Sequence, residues 1–275
     1  MEYDFSLAGL RIKLCTPREI TISQSLRPFL TAPQKKTDCT VTVQLTSTLP
    51  PISEGGVWHA AQYFLPNRVF HCQGVEGKAF AVTDFSEKDV KISVQNAYAS
   101  CVSGSEGIFH RIGLETLLLK YHGLLLHASL IDFENKAIVF AGASGVGKST
   151  QADLWHKTLG ANILNGDRTA LRKDGGWIAY GCPYAGTSGI YKNAHAPLKA
   201  IVVLAQGEEN CLKRLSPQEA LGLLYPEFSL HRWERTFLEK ATDLVLELIG
   251  DVPVYRFVCR PDSGAVYALK EGLNL

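Results

Sequence analysis

The stretch Gly142-Ala143-Ser144-Gly145-Val146-Gly147-Lys148-Ser149-Thr150 constrains this chain more than any other. It fits the pattern GxxxxGK[ST], follows the apolar run Ala137-Ile138-Val139-Phe140-Ala141 and precedes the helix-like Gln151-Ala152-Asp153-Leu154-Trp155-His156. In the order strand, glycine loop, helix, backbone N–H groups can turn inward around phosphates while a helix N-terminus faces them. On this reading residues Gly142 through Thr150 cradle a nucleotide and Lys148 is a cation near the β- and γ-phosphates. The Ser149 hydroxyl is then a ligand to Mg²⁺. The plainer alternative is a glycine-rich turn that opens a helix and binds nothing.

Shortly downstream, Ala161-Asn162-Ile163-Leu164-Asn165-Gly166-Asp167-Arg168 reads as an apolar strand ending in an acid. Mg²⁺ is commonly held through one or two carboxylates, water and substrate phosphates, so Asp167 is the expected metal residue. A turn or cap acid is the alternative. The following Thr169 to Arg172 and Trp177 to Gly181 predict a hairpin, and the loop Gly181 to Ile190, rich in glycine and small hydroxyls, reads either as a segment that approaches a ligand closely or as an ordinary surface connection.

Residues 1 to 103 predict a β-rich domain. Phe5 to Leu14, Val41 to Leu45, Arg68 to Cys72, Lys78 to Val82 and Lys91 to Val94 are candidate strands, several alternating as half-buried antiparallel strands do. No catalytic motif lies there. The region reads either as a module for acceptor recognition or homo-oligomer formation, or as a β cap. The pattern turns helical after Ser103, with Ile108, Ile112, Leu117 and Leu118 at helical spacing, so the expected domains are 1–103 and 104–275. Beyond the loops, Ser216-Pro217-Gln218-Glu219 predicts a capping box, Leu230 to Ile249 a long helix, Val252 to Cys259 a strand, and Asp262 the cap of a closing helix.

Charge excludes little but is informative. With 28 Lys+Arg against 27 Asp+Glu and no run of one sign, there is no basic footprint for nucleic acid or an anionic membrane. The opening Met1-Glu2-Tyr3-Asp4 and the short apolar runs point to a soluble cytoplasmic protein. The seven cysteines are scattered without a CxxC pair and read as core residues, and the histidines lack metal-ligand spacing.

The series His127-Ala128-Ser129-Leu130-Ile131-Asp132, Gly142 to Thr150, and Asn165-Gly166-Asp167-Arg168 resembles the core of the HPr kinase/phosphorylase family, whose fold is related to phosphoenolpyruvate carboxykinases. The stretches Tyr180 to Tyr184 and Pro197 to Ile201 look similar to an uncharacterised branch of these kinases, whose relatives include kinases of ribosomally made peptides. The resemblance is strongest over residues 124–172 and absent from the N-terminal β region. It implies an α/β P-loop core and phosphoryl transfer from ATP, with Mg²⁺, to a hydroxyl of a peptide, protein or small molecule. The catalytic residues it implies are Lys148, Asp167, His127 and Arg168, with Arg168 an added cation. HPr kinases carry paired acids before the arginine, the first a general base; Gly166 stands in that place here, leaving Asp167 or His127 to take the proton. The second class of function is a nucleotide-binding accessory protein without transfer activity.

Overall fold

Alternating apolar and polar residues before position 100 predict strands with one buried face, and a computed structural model describing residues 1–275 gathers them into one nine-stranded sheet. Its strands are β1 (Glu2–Leu7), β2 (Leu10–Cys15), β3 (Leu30–Thr31), β4 (Cys39–Thr46), β5 (Val57–His59), β6 (Gln62–Leu65), β7 (Arg68–Cys72), β8 (Ala79–Phe85) and β9 (Asp89–Gln95). The spatial order is β3-β1-β2-β4-β9-β8-β7-β6-β5. The run expected as one strand from Phe5 to Leu14 is a hairpin, because Ala8 and Gly9 take φ of 49° and 73° and reverse the chain. The strands are not all antiparallel: β4 pairs in parallel with both β2 and β9. Alternation reports which face is buried, and says nothing of the neighbour's direction.

The helical stretch that follows is two helices, α1 (Ser105–Ile112) and α2 (Leu114–Lys120), separated at Gly113 with φ 70°. The chain forms two compact units, Met1–Lys120 with His231–Glu239, and Tyr121–Leu230 with Lys240–Leu275. The division therefore lies after α2, whereas the change of sequence pattern lies at 103/104. The physical reason is the apolar face of α1, which is buried in the first unit, where Phe109 meets Phe5 edge-on with ring centroids 5.1 Å apart. The segment from His231 is held in the same unit by Trp233 stacked on His59 at 3.4 Å and by His231 Nε2 3.1 Å from Glu115.

The second unit holds an eight-stranded sheet. Its elements are β10 (Gly123–Phe133), β11 (Lys136–Ala141), α3 (Lys148–Leu159), β12 (Asn162–Asn165), β13 (Arg168–Lys173), β14 (Trp177–Gly181), β15 (His195–Gln206), β16 (Cys211–Arg214), α4 (Pro217–Leu224), most of α5 (Arg235–Asp251), β17 (Val254–Cys259) and α6 (Ser263–Gly272). The long helix begins at Arg235 and not at Leu230, because the Glu234 carboxylate accepts the N–H groups of Thr236 and Phe237 at 3.0 and 2.6 Å and so closes its first turn.

Two long strands organise this sheet. The first half of β10 pairs with β13 and its second half with β11, while β15 begins on β14 and continues in parallel with β11 and β17. Strand β11 is thus enclosed between β10 and β15, and Ala137 to Ala141 are wholly buried. Helix α3 lies over this layer with Trp155, also wholly buried, edge-on to Phe133 at 5.4 Å and packed with Val266 and Leu269 of α6. Truncating such an aromatic costs about 3–5 kcal/mol, so α3 is firmly seated. No helix is long and apolar enough to cross a membrane.

One buried group makes the first unit sensitive to acid. His71 of β7 is 5% exposed, with Nε2 3.0 Å from Thr83 Oγ1 and Nδ1 3.1 Å from Gln62 Nε2. Burial, then the charges of Arg111 and His110, push its pKa from 6.5 down to about 3. The folded state keeps the ring neutral while the unfolded chain binds a proton, so this stability is full above about 6.5 and is lost as pH falls toward about 3. We expect the melting temperature to fall across that window and His71→Gln to flatten the slope in thermal denaturation followed by circular dichroism. An equal slope in both proteins would remove His71 from the account.

Candidate functional site

The loop between β11 and α3 takes a conformation that its glycines permit. Gly145 and Gly147 have φ of 78° and 111°, a region that L side chains rarely adopt, although a Cβ at either would meet only open space. The conformation, and not crowding, requires glycine there. Val146 donates its N–H to Ala143 O at 3.2 Å and packs its side chain against the core beneath α3. Ala143, Ser144 and Gly145 are exposed, as are Ser149 and Thr150 on the first turn of α3.

Lys148 is the first residue of α3 and is largely buried, its Nζ donating to Gly142 O at 2.7 Å and Ala143 O at 3.3 Å. Burial lowers the pKa of this ammonium, opposed by the carboxylates of Glu227 and then Asp167. The cation therefore sits in the loop with both acids near enough to influence it. Ser149 Oγ lies 3.4 Å from Gly166 O, so the hydroxyl on α3 is beside the turn that carries Asp167.

That turn is built by Asn165, whose side chain is wholly buried at the end of β12. Its Oδ1 accepts the N–H groups of Asp167 and Arg168, both at 2.8 Å, and its Nδ2 donates to Cys182 O at 2.7 Å. Ser129 donates to Gly166 O at 3.0 Å, and Ala128 N–H to Asp167 O at 2.9 Å, which fixes the turn against β10. The neighbouring Cys182 thiol is pushed up to about 12 by burial and is inert at neutral pH.

Register brings His127 of β10 opposite Arg168 of β13. His127 Nε2 lies 3.3 Å from Asp167 Oδ1, and Nδ1 lies 3.6 Å from Glu227 Oε2. Arg168 Nε is 3.8 Å from the other Asp167 oxygen, while its Nη1 donates to Ser229 Oγ at 2.5 Å. The five side chains singled out from the sequence, Lys148, Ser149, Asp167, His127 and Arg168, thus lie in one neighbourhood. Glu227, in the short turn Tyr225–Glu227 after α4, joins them and has no sequence motif to announce it. Asn165 could have been read, since Asn commonly bonds N–H groups two and three residues on.

The glycine-rich loop after β14 approaches this turn directly. A Cβ at Gly166 would lie 2.1 Å from Ser188 Oγ and 2.4 Å from Ser188 Cβ, and one at Gly186 would lie 2.7 Å from Asp167 Cγ. The space in which a side chain at 166 would project belongs to Ser188. For Mg²⁺, the donors are of the kind an ion that takes oxygen ligands and keeps water would use: a carboxylate at Asp167 and a hydroxyl at Ser149, the latter 3.4 Å from the carbonyl of Gly166, the residue before Asp167. There is no group of three His, Cys, Asp or Glu side chains arranged for a metal, so such an ion would also need phosphate oxygens.

Fold and site together define a mixed α/β protein with a strand, a positive-φ glycine loop and a helix beside an acid-ended turn. No family model and no curated protein matches the chain. A solved structure described as the HPr(Ser) kinase/phosphatase from Coxiella burnetii is similar at 13% identity and a TM-score of 0.31, over 55% of this chain and 92% of that one. A likeness of that degree decides nothing about activity.

The crowding at Gly166 is testable. Gly166→Ala should destabilise the second unit by roughly 1–3 kcal/mol, the usual cost of overpacking. Adding Ser188→Gly should restore most of the loss, and a double variant as unstable as the single one in denaturant titration would show that Ser188 is not the obstacle.

Proposed function

We propose that this chain is an ATP-dependent phosphotransferase that moves the γ-phosphoryl group to a hydroxyl of a peptide, protein or small molecule. The observation that carries the reading is the meeting of Lys148, Ser149 and Asp167, through the 3.4 Å approach of Ser149 Oγ to Gly166 O and the influence of Asp167 on the Lys148 ammonium. Residues 142–150 hold the phosphates, with backbone N–H groups and the α3 N-terminus directed at them. Lys148 leaves its loop carbonyls for the β- and γ-phosphate oxygens and stabilises the charge that builds in transfer. Ser149 and Asp167 would hold Mg²⁺, which supplies charge neutralisation on the phosphates when bound.

In the transfer itself, the acceptor oxygen forms a bond to the γ-phosphorus while the bond from that phosphorus to the bridging oxygen breaks. The bridging electron pair leaves with ADP. The acceptor proton passes to Asp167, whose second contact is His127 Nε2. Phosphoryl transfer depends chiefly on positioning and electrostatics, and this group of residues supplies both. A nucleotide-binding accessory role is the second reading, favoured by the close packing of Gly186 and Ser188 over Asp167 and Gly166.

Calorimetry with Mg·ATP should show binding that Lys148→Ala abolishes or weakens by at least about tenfold, the loss of one charge-assisted contact. Asp167→Asn should remove label transfer from γ-labelled ATP by on the order of a hundredfold or more while nucleotide still binds. No heat with ATP, ADP or GTP would end both readings; tight binding with no transfer to any hydroxyl would leave the accessory role.

A further inference from the structure

The remaining acid near the site is placed by backbone bonding. Ser229 N–H donates to Leu125 O at 2.9 Å, and Phe228 forms a bridge with Leu126, so the chain after α4 is fastened to the strand that carries His127. Phe228 is buried, and at the other end of the turn Tyr225 Oη lies 2.7 Å from Thr242 Oγ1 on α5. Glu227 is left between these anchors with its side chain only 16% exposed, 3.6 Å from His127 Nδ1. The groups that face this covered carboxylate are the His127 imidazole and, further off, the Lys148 ammonium.

His127 consequently stands between two carboxylates, one on each ring nitrogen. An imidazole whose far nitrogen is held by an acid has its ring plane and orientation set, whereas one held on a single side can turn about χ2. We propose that Glu227 is a positioning residue of this site, holding His127 Nδ1 so that Nε2 stays on Asp167. The assignment rests on the transfer reading above for its catalytic consequence and on geometry alone for the contact. In this assignment Glu227 acts through His127.

The test uses the full chain with Glu227→Gln, which keeps shape and removes the charge, and Glu227→Asp as the conservative variant. Long-range proton–nitrogen NMR of the His127 ring, assigned with His127→Gln, should show the Nδ1 resonance displaced in Glu227→Gln and partly restored in Glu227→Asp. With Mg·ATP and either a hydroxyl acceptor or water, Glu227→Gln should lower kcat about 10–100-fold, the range for removing an orienting partner, with KM for ATP little changed. Combined with His127→Gln it should cost nothing further, because both changes remove the same interaction. An undisplaced ring resonance, an unchanged kcat in an active enzyme, or losses that multiply in the double variant would overturn the proposal. A wild-type protein that binds Mg·ATP and turns none over sinks the transfer reading separately, while the resonance still decides the contact.

Discussion

Everything about the glycine loop depends on the enclosure of β11. Its residues Ala137 to Ala141 are wholly buried between an antiparallel neighbour, β10, and a parallel one, β15. With no face to offer water, the strand has to be apolar throughout, and its backbone hydrogen bonds have to be met on both edges. The chain can leave only at the strand end, where glycines with positive φ turn it into α3. Trp155 then seats that helix, so the loop is gripped at both ends by packing it does not itself provide.

The second constraint is the buried amide of Asn165. One side chain satisfies two backbone N–H groups of the acid-bearing turn and one carbonyl at the end of β14. Leaving such donors and acceptors unmet would cost about 1–3 kcal/mol each, which makes the turn a rigid corner and gives Asp167 a fixed direction. The same corner receives the loop that contains Gly186 and Ser188, so the absence of a side chain at 166 and the presence of Ser188 are one arrangement viewed from two elements.

Local chemistry was legible in the sequence where it is settled within a few residues. The box at Ser216 and Glu219 forms as written, with Ser216 N–H donating to Glu219 Oε2 at 2.9 Å and Glu219 N–H to Ser216 Oγ at 3.3 Å. Asp262 caps α6 by accepting from Ala265 N–H at 3.1 Å, and β13 and β14 pair as the expected hairpin. What escaped depends on distant partners. The pairing of β4 in parallel with two strands, the grouping of His231–Glu239 with the first unit, and the approach of Glu227 to His127 are set by tertiary packing, for which the surrounding residues hold no periodic signal.

The parallel pairing of β11 with β15 also orders events in time. Ala137 to Ala141 wait for Leu198 to Val203, a partner that a ribosome releases only after all of α3, β12, β13 and β14 has emerged. Contacts so far apart in sequence are slow to form, because loop closure must precede any gain from pairing. Until then the GxxxxGK[ST] stretch is present as sequence but lacks one wall of the strand that aims it. Synthesis therefore passes through an interval in which β11, paired with β10 on one edge, has its other edge open, and an apolar strand with an open edge is prone to self-association until β15 arrives.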